Sequence, residues 1–170
     1  KNNDGPSLVY ASIPGPKLIN KAIKLGVGEV LEEYVGAEVD SRYSPPIKIK
    51  GTIKSIKHGD KYAETEVVVQ SGSISIIVTK KRKPYHKLID FIDLEIDPLK
   101  SDIIIVKIGY LVPELFNIRK GWTMALTPGG VDQDLSRLDY KRIKRPMFPL
   151  DNFENKPDLS SKLVETSNKY

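Results

Sequence analysis

Hydrophobic and polar positions alternate in a way that predicts a strand, a helix and a second strand in the first part of the chain. The apolar run at 8–12 predicts a strand. Beyond Pro16, apolar residues recur three and four positions apart over 17–25, which predicts a helix that ends at Gly26. Residues 29–35 then predict another strand.

The middle third of the chain has the pattern of antiparallel strands. Residues 47–54 alternate isoleucine and glycine with lysine and threonine, as expected for a strand with one face in solvent. Turn-forming residues at 58–60 predict the next reversal. Strand-favouring runs at 62–69 and 74–79 follow, separated by the turn-forming residues 70–73. Together these patterns predict an antiparallel β-meander.

A second unit of strand and helix follows the meander. A short helix is predicted within 85–92. The unbroken apolar run Ile103–Val106 predicts a central strand that is covered on both faces. Pro113 and Gly121 suit the two ends of a helix, and 122–126 predicts a further strand that would complete a βαβ unit.

The predicted fold class is α+β or mixed α/β, with two βα-type units around a central sheet and the β-meander in the middle third. Trp122 is predicted to lie in the core. A last helical turn is predicted at 132–138, and an extended segment at the sheet edge at 140–151. We expect one domain over 1–150 and a polar tail over 151–170.

Composition excludes several classes of protein. The chain has 170 residues, a size that usually forms one domain, and its net charge of +5 is spread along the sequence. It has no cysteine, which excludes disulfides and thiolate nucleophiles. No stretch approaches the roughly 18 apolar residues of a membrane span, and the first residues lack a signal-peptide pattern. These features predict a cytoplasmic protein without a membrane partner.

Few residues are suited to catalysis. A catalytic zinc site needs about three protein ligands, and the chain has two histidines, His58 and His86, neither of which belongs to a HExxH motif. No serine lies in a GxSxG elbow. We therefore expect no catalytic residues, no metal site and no cofactor within this chain.

The ends of the predicted central strands provide the candidate substrate-binding residues. Ligands of open α/β sheets bind beyond the carboxyl ends of the strands. Lysine charge and glycine amides at those ends could bind a carboxylate or phosphate. The candidates are Lys107, Tyr110, Thr127, Gly129, Gly130 and Asp132. The glycines also suit a simple turn, Lys107 a solvated strand end, and Asp132 with Asp134 a helix cap.

Two basic runs, Lys80–Lys83 and Tyr140–Pro146, raise the alternative of nucleic-acid binding. Such binding requires several phosphate contacts on one face with aromatic residues placed to stack on bases. Only Tyr85 and Tyr140 lie near these runs. We expect a solvated edge instead, where lysines discourage strand-to-strand aggregation, and no nucleic-acid partner.

Residues 97–151 resemble the C-terminal domain of the MlrC (microcystinase C) family, inferred zinc metallopeptidases. The shared motifs are IDPL, IIIVK, TPGG and YKRIKRPMFPLD. Upstream, GVG, YVGAEVD and PPIKIKGTIKSI also fit, so the resemblance extends over nearly the whole chain. Two segments depart from the family pattern: SIPGPK replaces an Asp-Pro pair in the first βα turn, and IGYLVPEL replaces a version with serine and histidine.

The resemblance implies that this chain is an accessory domain whose partner is a larger N-terminal domain of the same protein. That domain, absent from this chain, would hold the zinc and the catalytic residues. The implied substrate is a peptide or amide bond in a small compound, and this chain would form part of the substrate cleft. The alternative is a noncatalytic binding or oligomerisation module, in which the partner is a second copy of the chain.

Overall fold

A computed structural model describes residues 5–129, 132–153, 158, 160 and 161. The chain forms two compact units, a first unit at 1–123 and a second unit at 124–170. The predicted boundary between a domain at 1–150 and a tail at 151–170 stays a prediction.

The first unit is built on a six-stranded mixed sheet in the order β2-β3-β4-β5-β1-β6. Strands β2 to β5 form an antiparallel meander, whereas β1 runs parallel to both β5 and β6. This arrangement confirms the mixed α/β prediction with its meander. The strands are β1 (Leu8–Pro14), β2 (Val30–Val35), β3 (Ile47–Asp60), β4 (Glu64–Ser71), β5 (Ile74–Thr79) and β6 (Ile103–Val106).

Short helices follow three of these strands. They are α1 (Pro16–Leu25) after β1, α2 (Leu88–Ile92) after β5 and α3 (Pro113–Ile118) after β6. Two 3₁₀ turns lie at Pro98–Lys100 and Leu135–Arg137. Helix α1 begins with a proline in its first turn and ends at Gly26, whose φ of 92° suits glycine, as the sequence predicted. None of the described helices has the length and apolar character needed to cross a bilayer.

Each face of the sheet has its own hydrophobic core. On one face, Leu18, Ile19 and Ala22 of α1 pack against buried residues of β2, β3, β4 and β5. On the other face lies what we call the second core, in which the rings of Tyr85 and Phe91 pack with Val9 and Ala11 of β1 and with residues of β4, β5 and α3. The two cores hold β4 and β5 from both sides, so these strands form the centre of the sheet.

Strand β3 extends farther than the sequence predicted. The reversal expected at 58–60 is wrong, because β3 continues to Asp60 and the turn lies at 61–63. Gly59 has a φ of 83°, and the register of the pair with β4 shifts between His58 and Asp60. The glycine therefore forms a bulge within the strand, where the sequence pattern indicated a turn.

Strand β6 lies at the edge of the sheet, so the predicted central position of Ile103–Val106 is wrong. Among the described residues β6 pairs only with β1. Ile104 and Val106 pack against the second core, while Ile103 and Ile105 are exposed by 43% and 40%. A continuous apolar run is typical of a strand covered on both faces, but here only one face is covered by the described residues.

The predicted strand at 122–126 is absent from the described structure. These residues form no ladder, and the side chain of Trp122 is 56% exposed, which makes its predicted core position wrong. Alternation of apolar and polar residues gives a segment the ability to form a strand. The strand forms only when a neighbour pairs with it, and no described residue pairs with this segment.

The described part of the second unit consists of turns. The helical turn predicted within 132–138 is confirmed as the 3₁₀ turn Leu135–Arg137. The extended edge segment predicted at 140–151 is wrong, because this stretch forms bends and turns. The guanidinium of Arg145 binds the carboxylate of Asp151, which also accepts a hydrogen bond of 2.7 Å from the backbone N–H of Met147. These side-chain bonds close the segment on itself.

Candidate functional site

The carboxyl ends of β1 and β6 lie side by side at a point where the chain leaves the sheet in opposite directions. After β1, helix α1 packs on one face, whereas after β6 the residues Val112 and Leu115 pack on the other face. Adjacent parallel strands whose connections diverge in this way leave a crevice between their carboxyl ends. Ligands of open α/β sheets bind in such crevices.

Lys107 follows β6 directly at this crevice. Its backbone N–H donates a hydrogen bond of 3.2 Å to the carbonyl oxygen of Ala11 in β1, which fixes the position of its Cα. The side chain is exposed, and no carboxylate of the described residues forms an ion pair with its ammonium group. Lys107 therefore offers a positive charge that no described carboxylate neutralises, on a Cα fixed by the strand pairing.

The end of β1 forms the other side of the crevice. Its residues were not among the site residues predicted from the sequence. The hydroxyl of Ser12, a buried side chain, donates to the carbonyl oxygen of Lys83 at 3.3 Å. The N–H of Gly15 donates to the carbonyl oxygen of Thr79 at 2.9 Å. A Cβ at Gly15 would lie 2.7 Å from Cγ2 of Val35, so this tight approach requires glycine.

The predicted site residues fall in different parts of the chain. Tyr110 lies between β6 and α3 in the first unit and is 72% exposed. Thr127, which is exposed, and Gly129 belong to the second unit. Gly130 lies outside the described residues. Within the first unit, Lys107 and Tyr110 thus share one connection.

Asp132 holds the backbone of the second unit. Its carboxylate accepts hydrogen bonds of 2.9 Å from the N–H of Asp134 and 2.9 Å from Nη2 of Arg137. These two bonds lower the pKa of Asp132 below its usual value, the backbone bond most strongly. Asp134 caps the turn through Ser136. The contacts of Asp132 favour a structural role for this residue.

A buried ionic cluster lies at the same end of the sheet as the crevice. The ammonium of Lys83 is 2.8 Å from Oδ2 of Asp60, 2.9 Å from Oε1 of Glu66 and 3.4 Å from Oδ1 of Asp90. The hydroxyl of Tyr85 donates to Oε1 of Glu66. The side chains of Lys83 and Glu66 are only 4% and 0% exposed. One lysine therefore faces three carboxylates in a nearly dry environment.

Hydrogen bonds keep Lys83 and Asp60 charged in spite of their burial. Burial disfavours the ammonium of Lys83, but its bonds to Asp60 and Glu66 outweigh that cost and raise its pKa. Burial likewise disfavours the carboxylate of Asp60, yet bonds from Lys83 and from the N–H groups of Ala63 and Tyr62 lower its pKa. Burial and the bond to Glu66 raise the pKa of the Tyr85 hydroxyl well above its ordinary value.

The expectation that the run Lys80–Lys83 forms a solvated edge is wrong for its last residue. Lys80 and Lys81 are exposed and pair with Glu64, but Lys83 turns into the core. The sequence contained one signal of this arrangement. Glu66 directly precedes the apolar run 67–69 and lies two positions before the core residue Val68, on the same face of the strand, where a carboxylate requires a buried partner.

The described residues of this chain do not form a site for the zinc that the resemblance assigns to an N-terminal domain. Nδ1 of His58 is 3.2 Å from the hydroxyl of Thr65, and His86 uses its backbone N–H to bind Asp90. No group of three or more histidine, aspartate or glutamate side chains within the described residues could hold a metal ion.

An open pocket of about 500 Å³ lies at the opposite end of the parallel strands. Its wall includes Ser7, Ser75, Asp97 and Ser101, near the starts of β1, β5 and β6. Polar groups there satisfy one another, for example the hydroxyl of Ser75, which donates to Gln70 at 2.8 Å. We favour the crevice as the functional site, because the connections diverge there and the charge of Lys107 is unpaired.

Comparison with known proteins identifies one matching family and a similar solved structure. The family model of the MlrC C-terminus matches residues 1–142. A solved structure of a "putative metallopeptidase" from Mesorhizobium sp. BNC1 aligns with a TM-score of 0.67 and 15% sequence identity. The alignment covers 90% of this chain and 33% of that chain, so this chain spans about one third of the solved chain. This likeness shows the fold, and no curated protein matches.

Proposed function

Because the chain belongs to the MlrC family and matches its C-terminal domain, we propose that it is the accessory domain of a larger hydrolase of that type. Its partner is an N-terminal domain of the same protein, which binds zinc and holds the catalytic residues. The accessory domain packs against that partner and completes one wall of the substrate cleft. A cytoplasmic location and an amide or peptide bond as the point of cleavage are parts of this proposal.

One observation supports a role in the cleft most strongly. Lys107 stands at the end of β6, in the crevice where the connections after β1 and β6 diverge, with no described carboxylate to neutralise it. An unpaired lysine at such a crevice attracts an anionic group of a ligand. The backbone hydrogen bond to Ala11 fixes the Cα from which this side chain extends.

Lys107 is proposed to bind a carboxylate of the substrate rather than to take part in bond cleavage. A lysine is a compact point charge with three donors, which suits an anion whose orientation is set by other groups. The catalytic groups themselves belong to the N-terminal domain.

Replacing Lys107 with methionine in the complete polypeptide is expected to raise KM for an anionic substrate by about tenfold or more. The reason is that a hydrogen bond to a charged group contributes about 1.5 to 3 kcal/mol. The value of kcat should change little, because the lysine binds the substrate and the transition state equally. Steady-state kinetics on an anionic substrate and its neutral amide would measure the effect.

Lys54→Met is the matched control, because Lys54 is an exposed lysine of β3, away from the crevice. It should leave KM unchanged for both substrates. Equal KM values for Lys107→Met and Lys54→Met with the anionic substrate would show that Lys107 points into solvent and has no part in the cleft.

A further inference from the structure

Six apolar side chains form two rows across the three parallel strands. Register pairs Leu8 with both Ile74 and Ile103, and pairs Tyr10 with both Ile76 and Ile105. Paired residues of neighbouring strands point to the same side of a sheet. We call this surface the isoleucine face; it consists of Leu8, Tyr10, Ile74, Ile76, Ile103 and Ile105.

The isoleucine face lies on the side of the sheet that carries α1. Ile76 packs against the core beneath that helix, while alternate residues of β1, such as Val9 and Ala11, point to the opposite core. Helix α1 packs over β2, β3, β4 and β5. The described residues leave open the part of this side formed by β1, β6 and the start of β5, where Ile74, Ile103 and Ile105 are 39%, 43% and 40% exposed.

Another uncovered part of the sheet has a very different composition. On β3, Lys48 and Lys50 alternate with the buried Ile49, and both lysines form ion pairs with Glu32 of β2. That surface belongs to an antiparallel pair, which commonly has one face in water. Parallel strands, in contrast, almost always have both faces covered. The surface of β2 and β3 thus has ion pairs beside the exposed side chains of Val30 and Tyr34, whereas the six residues of the isoleucine face include no charged side chain.

We propose that the isoleucine face is the surface on which the N-terminal domain of the same polypeptide packs. This inference rests on the proposed function and adds to it the location of the interdomain contact. An apolar patch of this kind marks a protein interface when it is contiguous. This chain spans one third of the solved relative, so two thirds of that relative lie outside the aligned region.

The start of β1 shows how a preceding domain would reach this surface. The backbone N–H and the hydroxyl of Ser7 both donate to Oδ2 of Asp102 at 2.8 Å, immediately before β6. Ser7 itself therefore lies beside the first row of the face. A domain attached at this point can cover the face without a long linker.

Hydroxyl-radical footprinting with mass spectrometry tests the proposal by comparing the complete polypeptide with the 170-residue chain. Tyr10, Ile103 and Ile105 should lose most of their oxidation in the complete polypeptide. Ile47, which is 58% exposed at the far side of the sheet, should be oxidised equally in both and serves as the control. Equal oxidation of Ile103 and Ile105 in the two proteins would overturn the proposal.

The pattern of protection separates this inference from the proposed function. Protection elsewhere on the first unit, with the isoleucine face unprotected, would reject this face while leaving an accessory domain in place. No protection anywhere would reject the interdomain packing itself. Protection already present in the 170-residue chain that rises with its concentration would show a second copy on the face, and this too would overturn the proposal.

A charged variant provides an independent measurement. Ile103→Lys/Ile105→Lys in the complete polypeptide should separate the domains, seen as a larger radius of gyration in small-angle X-ray scattering. Both positions are exposed in the 170-residue chain, so the same change there should leave its circular dichroism and melting curve nearly unchanged. Ile47→Lys is the matched control. A complete polypeptide that stays as compact as the parent would contradict the assignment.

Discussion

Replacing Lys83 with methionine is expected to lower the free energy of unfolding by about 3 to 5 kcal/mol, because removing one partner of a buried ion pair leaves uncompensated charge. The lysine side chain is 4% exposed and is the cation within hydrogen-bond distance of both Asp60 and Glu66. Methionine fills a similar volume without restoring a donor. Urea denaturation at neutral pH, followed by circular dichroism, would measure the loss.

Lys81→Met is the matched control for this variant. Lys81 belongs to the same basic run but is 65% exposed and pairs with Glu64 at the surface, so its loss should cost no more than about 1 kcal/mol. Adding Glu66→Gln to Lys83→Met should recover part of the stability by removing a buried charge. Similar losses for the two lysine variants would show that the cluster is solvated.

Replacing Phe91 with alanine is expected to destabilise the first unit by about 3 to 5 kcal/mol, through lost burial and the cavity left behind. Phe91 is fully buried, and its ring centroid lies 5.3 Å from that of Tyr85. Both rings cover β1 and β4 in the second core. The change therefore affects the packing beneath the strands that end at the crevice.

Phe116→Ala is the control in a comparable short helix. Its side chain is 41% exposed, and the loss should stay below about 1 kcal/mol. Thermal and urea unfolding of both variants would give the two values. A loss at Phe91 no larger than that at Phe116 would mean that the second core contributes little to stability.

The spacing of apolar residues predicted those helices and strands whose buried face is set by the local sequence. Helix α1 has apolar residues at helical spacing between a proline and a glycine, and it folds as predicted. The meander likewise follows from alternating residues and turn signals. The position of a strand within the sheet could not be predicted from the spacing of apolar residues. The run Ile103–Val106 has the same pattern whether its second face is covered by this chain or by another domain.

The candidate site was predictable in part. The rule that ligands bind beyond strand ends identified Lys107, and the structure places it in the crevice beside β1. Ser12 and Gly15 border the crevice because β1 and β6 are neighbours in the sheet. This is a long-range contact that local sequence patterns do not predict. The buried position of Lys83 depends equally on contacts with Asp60 and Glu66 on other strands. Whether Thr127, Gly129 and Gly130 face a substrate stays a prediction.

We propose that this chain assists a catalytic domain and does not hydrolyse substrate unaided. Amide hydrolysis should be measured on the 170-residue chain and on the complete polypeptide, each with and without added Zn²⁺. We expect zinc-dependent turnover from the complete polypeptide alone. Zinc-dependent hydrolysis by the 170-residue chain that disappears on replacing His58 and His86 would contradict the claim.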